Sequence, residues 1–309
     1  MPDLPKKTLG RTGVEVTTLG FGAMELRGGA RGPAISDEDA GKLLNLVLDS
    51  GINFIDTSID YGLSEERIGK HISHRRDEYF LASKCGCVVD GQGGEHDHTA
   101  RNIRHGVENS LKRLQTDHLD LVQFHRSLTM DEFQAQGGLQ ELLKLRDEGK
   151  VRWVGVSGTL PNLPEQIESG VFDAFQIPYS ALQREHESAI DLAAAHDMGA
   201  IVRGGVARGA PTDWDRRSYY MVSSDTMKQR WDDANLDELL DGMSRVEFML
   251  RFTLSHLGLS TTIVGTSNPE HLRTNVENAM KGPLPAAMVA EAKRRLDDAG
   301  AIVEAIPAQ

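Results

Sequence analysis

One feature constrains this chain above all others: a repeat. Eight short apolar runs are spaced along it: TTLGFG (17–22), INFIDT (52–57), YFLASK (79–84), LDLVQFH (119–125), VRWVGVS (151–157), DAFQIPY (173–179), AIVR (200–203) and TTIVG (261–265). Runs this continuously apolar suit strands covered on both faces, the habit of parallel sheets. Parallel strands need long crossovers, usually helices. Helical patterns do lie between the runs. Ser36 before Asp37, Glu38 and Asp39 is an N-terminal signal. Leu43, Leu44, Val47 and Leu48 then share a face, and Gly51 follows. Ile103, Val107, Leu111 and Leu114 stripe the segment 98–114; Val246, Met249, Leu250, Thr253, Leu254 and Leu257 stripe 245–257. Less regular helices are expected at 64–72, 131–148, 162–169, 185–197 and 269–280.

Eightfold strand–helix alternation predicts an α/β fold, the (β/α)8 TIM barrel. The runner-up, a doubly wound open sheet, usually carries G-x-G-x-x-G after its first strand. Gly20 and Gly22 are not followed by the rest of that motif. Two pieces stand outside the repeat. Residues 6–17 carry a Thr-Gly turn between short alternating runs and predict an N-terminal β-hairpin capping the barrel bottom. Residues 204–244 form a long loop after strand seven, a length uncommon without a function. The 309 residues would accommodate two domains of ~150 or one barrel of ~250 or more. No linker interrupts them, so 1–309 reads as a single barrel domain.

Composition narrows the function. With 34 basic and 46 acidic residues the net charge is −12, a poor match for the phosphates of nucleic acid. Cys85 and Cys87 alone make no disulfide framework and suit a reducing compartment. No apolar run approaches the ~18 residues of a membrane span, and the start MPDLPKKTLG has no apolar core of a signal peptide. A cytoplasmic protein that binds neither nucleic acid nor membrane is expected.

In a barrel enzyme the site lies at the C-terminal strand ends. Those ends carry Asp56 in IDTSIDYG, Tyr61 just beyond it, Lys84 in LASKCG and His125 in VQFHRS. The four belong to consecutive runs two, three and four. A phenol of pKa ~10 is a weak acid at neutral pH. A neighbouring ammonium stabilises its phenolate, and a carboxylate holds the ammonium in place. An imidazole can orient a carbonyl oxygen. Such a set protonates a carbonyl oxygen while hydride arrives at the carbon. No side chain supplies hydride, so a nicotinamide cofactor is implied.

The chain resembles the aldo-keto reductases over nearly its whole length. The resemblance is carried by LGRTGVEVTTLGFGAM (9–24), GINFIDTSIDYGLSEERIGK (51–70), LASK (81–84), SLKRLQTDHLDLVQFH (110–125), GKVRWVGVS (149–157) and GTSNPEHLRTN (265–275). It implies a catalytic tetrad of Asp56, Tyr61, Lys84 and His125, with Tyr61 as general acid. It also implies NADPH, with NADH the alternative, bound without a Rossmann domain. Gly22, Ala23, Met24, Asp56, Val206 and Gly265 are implied to line the cofactor, and Ser157 and Gln176 to hold the carboxamide. Two departures stand out: Gly158 where the family has Asn, and Arg203 where it has an aromatic residue under the nicotinamide. The backbone of Gly204, Gly205 and Gly209 suits close approach to a pyrophosphate. Thr266, Ser267 and the helix start after them suit an adenosine 2′-phosphate, with His271 and Asn275 matching family contact positions.

The expected substrate is a small carbonyl compound, with Met24, Ile59 and Arg126 at the entrance. Trp214, Tyr219, Tyr220 and Trp231 would either grip a ring-shaped substrate or pack the loop onto the barrel. Cys85 and Cys87 read as small strand-end residues rather than a redox pair. Zinc-ligand cysteines would need more partners. His96, Asp97 and His98 read as a solvated helix start in preference to a metal cluster, so no metal is expected. Monomer and homo-oligomer both stay open. The alternative function is a nucleotide-binding regulatory module, as in the potassium-channel β subunits of this family.

Overall fold

The eight apolar runs form the staves of a closed parallel barrel. A computed structural model describes residues 3–28, 35–88, 95–207 and 224–300. Strands β1 (Lys6–Thr8) and β2 (Glu15–Thr17) pair antiparallel as the expected hairpin. The barrel comprises β3 (Leu19–Gly22), β4 (Phe54–Asp56), β5 (Phe80–Cys85), β6 (Leu119–Phe124), β7 (Val151–Ser157), β8 (Ala174–Pro178), β9 (Gly199–Arg203) and β10 (Thr261–Val264). They follow one another in chain order, and β10 closes on β3.

Strand parity sorts the core. Phe54, Phe80, Ala82, Leu121, Ala174 and Ile201 form one buried cluster together with Leu9 and Val16 of the hairpin region. This is the barrel interior, plugged from below. Phe54 stacks on Phe80 and Phe80 on Trp153, at centroid distances of 5.3 and 5.7 Å. The hairpin turn lies so close to the barrel that a Cβ on Gly10 would sit 2.3 Å from the Gly199 nitrogen. Gly10 also has φ +48°, so only glycine suits this contact. The alternate residues, such as Phe21, Ile55, Leu81, Val122, Val154, Phe175 and Val202, belong to a second cluster shared with the helices. Each such fully buried side chain contributes about 1.5–3 kcal/mol.

The helices are α1 (Asp37–Asp49), α2 (Ser64–Ile72), α3 (Ala100–Leu114), α4 (Met130–Ala135), α5 (Gly138–Asp147), α6 (Leu163–Glu168), α7 (Glu187–Ala195), α8 (Ser224–Asp233), α9 (Arg245–Leu254), α10 (Pro269–Met280) and α11 (Ala286–Asp298). The Ser36 side chain caps α1 by accepting from the Asp39 N–H, as its position suggested. Three details differ from the sequence reading. The expected helix 131–148 is two helices. Gly137 turns to φ +72°, and Gly138 lies where a Cβ would meet the His98 carbonyl at 2.2 Å. The 245–257 helix stops at Leu254, leaving Leu257 at 93% exposure instead of on the buried stripe. The C-terminal α11 carries no marked apolar stripe in the sequence, because it buries only Ala292 and Leu296.

The long connection after β9 contains α8 and a 3-10 turn at Leu236–Leu239. Trp231 is fully buried there, edge-on to Phe248 at 5.6 Å, and its indole N–H donates to Asp237. Trp231 therefore packs the segment onto the barrel. Gly209, Trp214, Tyr219 and Tyr220 lie outside the described residues. Among the described residues, no helix is long and apolar enough to cross a membrane.

Candidate active site

Parity also builds the site. Phe54 points inward, so Asp56 two residues on points inward at the top of β4. Ala82 does the same for Lys84 on β5, and Leu121 for Gln123 on β6. A ring of polar side chains thus tops an apolar barrel. Asp56 is 2% exposed and the Lys84 side chain wholly buried. Lys84 Nζ donates to Asp56 Oδ2 at 2.6 Å and to the Thr57 carbonyl at 2.8 Å. The other carboxylate oxygen accepts from two glutamine amides, Gln123 at 3.1 Å and Gln176 at 2.8 Å. Ser157 in turn donates to Gln176 Oε1 at 3.3 Å. The charges are paired and hydrogen-bonded, the condition under which buried ions are tolerated.

Tyr61 lies on the turn between β4 and α2, where its N–H donates to the Ser58 carbonyl. It is half-buried. Lys84 Nζ lies 4.9 Å from its ring centroid, and the His125 ring meets it edge-on at 5.8 Å. All four tetrad candidates are thus brought together. Around His125 the structure adds Ser58 and Asp60, and brings in Cys87, which reads from the sequence only as a small strand-end residue. The His125 Nδ1 is 3.1 Å from Cys87 Sγ, 3.4 Å from Ser58 Oγ and 3.4 Å from Asp60 Oδ1. Burial lowers the imidazole's proton affinity, against the raising effect of Asp60 and with help from the Lys84 charge. Burial would raise the Asp60 carboxyl, but hydrogen bonds and charge from His125, Ser58 and Lys84 outweigh it and hold it well below the usual carboxylate range.

Gln123 was readable in principle, since it shares the inward parity of His125 in LDLVQFH. Asp60, Cys87 and His96 had no such signal. His96 and His98 do not form a solvated helix start. Thr99 caps α3, whereas His98 is buried and His96 turns its ring towards His125 at 6.0 Å. Burial pushes the His98 imidazole down to about 4.

The candidate cofactor residues line the same barrel end. Gly22, at the end of β3, lies beside Gly265, just beyond β10; a Cβ on Gly22 would be 3.6 Å from the Gly265 nitrogen. Ala23 is buried and Met24 half-buried on the short 3-10 turn that follows. Arg203 ends β9 on the face shared by Ile201 and is half-buried. Gly204 has φ +76°, and a Cβ there would meet nothing within 4 Å. Val206 packs against the core. Beyond β10, Thr266 Oγ1 accepts the Asn268 N–H, and Asn268 caps α10 by accepting the Glu270 N–H. Ser267 is half-buried, His271 exposed and Asn275 buried. Of the expected entrance residues, Arg126 is exposed, but Ile59 is buried and its carbonyl accepts from Arg113.

A model of the aldo/keto reductase family matches residues 18–296. The chain belongs to that family. The similarity to individual members is moderate but extends over almost the full length. An uncharacterised oxidoreductase of Bacillus subtilis, YqkF, is 28% identical, with 89% of this chain and 90% of that protein covered. An L-galactose dehydrogenase of Arabidopsis thaliana is also 28% identical, covering 89% and 88%. The holo form of aldo-keto reductase AKR11C1 from Bacillus halodurans superposes with a TM-score of 0.80 at 28% identity, over 98% of this chain and 97% of that one. Aldo-keto reductases work with NADP(H) or NAD(H) on small carbonyl compounds, and this one is an NAD(P)H-dependent oxidoreductase. At Gly158, where the reductases usually have Asn, a Cβ would come within 3.1 Å of Leu163 and 3.3 Å of Gln166 Oε1. The position is crowded, which suits glycine.

Proposed function

We propose that this aldo-keto reductase reduces an aldehyde or ketone to the alcohol with NADPH, Tyr61 acting as general acid. The observation that carries the reading is the buried Lys84 ammonium. It is clamped by Asp56 at 2.6 Å and set 4.9 Å from the Tyr61 ring. In that position its charge favours the phenolate and eases proton release to a carbonyl oxygen. Cys87, Ser58 and Asp60 hold His125 on its Nδ1 side, so that the ring is positioned to orient the carbonyl. Gln123 and Gln176 act through Asp56 by fixing the carboxylate that fixes the lysine.

The residues fit a dinucleotide. Glycine backbone is open at Gly204, and the Gly22 and Gly265 backbones at the mouth pack so closely that a Cβ on Gly265 would meet the Gly22 carbonyl at 2.7 Å. Bound there, the nicotinamide supplies the hydride. Ala23, Met24, Ser157, Gln176, Arg203 and Val206 would surround it, and the backbone at Gly204 and Gly205 would approach the pyrophosphate. Thr266, Ser267, His271 and Asn275 at the start of α10 would take the adenosine end and its 2′-phosphate. We take residues 1–309 as one cytoplasmic domain. The relative named for L-galactose makes hydroxylated aldehydes the first substrates to try.

Tyr61→Phe tests the reading. It should cost ~10²–10⁴-fold in kcat, the usual worth of general acid catalysis, with little change in nucleotide Kd. Near-full turnover in this variant would refute the role of Tyr61.

A further inference from the structure

Cys87, His96 and His125 come from three chain segments, yet each presents a ligand atom, and these atoms all lie within 4.8 Å of one another. The backbone explains the convergence. Cys87 and His96 are paired across an isolated antiparallel bridge, which sets directly opposed side chains on the same side. The bridge is fixed on both flanks, by the Val88 N–H to the Glu95 carbonyl at 3.0 Å and the Asp97 N–H to the Gly86 carbonyl at 2.8 Å. Asn102 of α3 ties the two arms together, its side-chain amide donating to the Cys87 carbonyl at 3.1 Å and the Asp97 carbonyl at 2.8 Å. The third member arrives from β6, where the His125 N–H donates to the Cys85 carbonyl at 3.0 Å. A ring nitrogen of His96 also lies 3.1 Å from the His125 carbonyl.

We propose that Cys87, His96 and His125 form a three-ligand site for a thiolate- and imidazole-preferring divalent cation of the zinc class, its fourth position facing the barrel mouth. One thiolate and two imidazoles are a donor set that zinc accepts, and three protein ligands leave one tetrahedral position open. With Zn–S near 2.3 Å and Zn–N near 2.0–2.1 Å, sulfur and nitrogen on one tetrahedral ion stand roughly 3.5 Å apart. Cys87 Sγ and His125 Nδ1 are 3.1 Å apart, so small side-chain rotations bring them to register. Binding exchanges the thiol proton for the metal: the S–H bond breaks, an S–Zn bond forms, and one proton leaves to solvent. Nothing is oxidised or reduced. The site takes up His125, so on the tetrad reading above it also links metal binding to turnover.

The test uses the whole chain titrated with Co2+ alone, without nucleotide or substrate, so it does not depend on the catalytic reading. Wild type should take one ion per chain and show the visible bands of tetrahedral cobalt with a thiolate-to-cobalt absorption in the near ultraviolet. Added Zn2+ should bleach both. Cys87→Ala should abolish the thiolate band. His96→Gln should weaken binding by more than the ~10–100-fold that loss of a group merely orienting a ligand costs. Cys85→Ala should leave the band in place, because Cys85 is buried in the outer core cluster. Circular dichroism of each variant checks the fold. A wild-type titration with no thiolate band, or a band that survives in folded Cys87→Ala, would overturn the proposal. A second arm assays turnover with and without Zn2+, expecting inhibition. One-ion binding with unchanged turnover would leave the metal site standing and count against the catalytic role of His125.

Discussion

Asp56→Asn isolates the energetics on which the site rests. The carboxylate now serves three donors, Lys84 on one oxygen and two glutamine amides on the other. An asparagine has one oxygen and one NH2, so one set of donors must face a donor. If the lysine loses, its ammonium keeps the Thr57 carbonyl at 2.8 Å but loses its paired counter-charge, and only the Asp60 carboxylate, which feels the lysine charge, is left to offset it. Removing one partner of a buried pair costs about 3–5 kcal/mol. A ceiling applies, because the amine can shed its proton, and neutralising an ordinary lysine at pH 7 costs about 4.6 kcal/mol. The expected loss is therefore about 3–4.6 kcal/mol. At ~2.1 cal/mol/K of unfolding entropy per residue, a chain of this length should melt roughly 5–7 °C lower. The sign of the pH dependence follows. The neutral amine becomes cheaper as pH rises, so the deficit against wild type should narrow by up to ~1.4 kcal/mol per pH unit above pH 7. Urea unfolding of both proteins at pH 7, 8 and 9 measures it. A deficit under ~1 kcal/mol, or one that ignores pH, would show that the variant does not leave a buried ammonium without its paired carboxylate.

Glu65 of α2 offers a second pH test: burial pushes its carboxyl up to about 6 from 4.5, against hydrogen bonds from Ser83 and Ser110 and the charge of Arg113. The folded chain holds that proton more tightly than the unfolded one, so wild type should lose about 2 kcal/mol relative to Glu65→Gln as pH rises through this window and nothing further above it; parallel stability curves for the two proteins would contradict the assignment. Arg203 at the mouth should favour the neutral reduced nicotinamide over the cationic oxidised one, by at most about 4 kcal/mol for charges ~4 Å apart at an effective dielectric of ~20. Titrating both redox forms against wild type and Arg203→Trp reads this directly, and an unmoved affinity ratio would show that the guanidinium does not face the ring. Finally, NADPH should bind more tightly than NADH at low salt, with the gap closing as ionic strength rises and the ~10 Å screening length at 0.1 M shortens. Equal dissociation constants at low salt would exclude a 2′-phosphate site at Thr266 and Ser267.

Local pattern alone determined the architecture of this protein. A strand covered on both faces must be apolar along its length, and eight such runs alternating with amphipathic segments leave a closed barrel as the natural solution. The same logic reached the tetrad. Strand ends are where polar residues can replace apolar ones, and the two-residue parity of a strand aims Asp56 and Lys84 along the same face as Phe54 and Ala82. Parity states which way a side chain points, but not what it meets across the barrel. The meeting of Gln123 and Gln176 on one oxygen of Asp56 joins residues 67 and 120 positions away from it, and only barrel closure and stagger bring them there. The division at Gly137 follows likewise from a backbone approach to His98 that no local pattern encodes. The convergence of Cys87, His96 and His125 is the sharpest case. Cys87 and His96 are matched by a bridge whose register depends on backbone hydrogen bonds, and His125 joins them from the next strand. Spacing in the sequence carries no trace of that contact, because it is set by how the segments pack and not by any period within them.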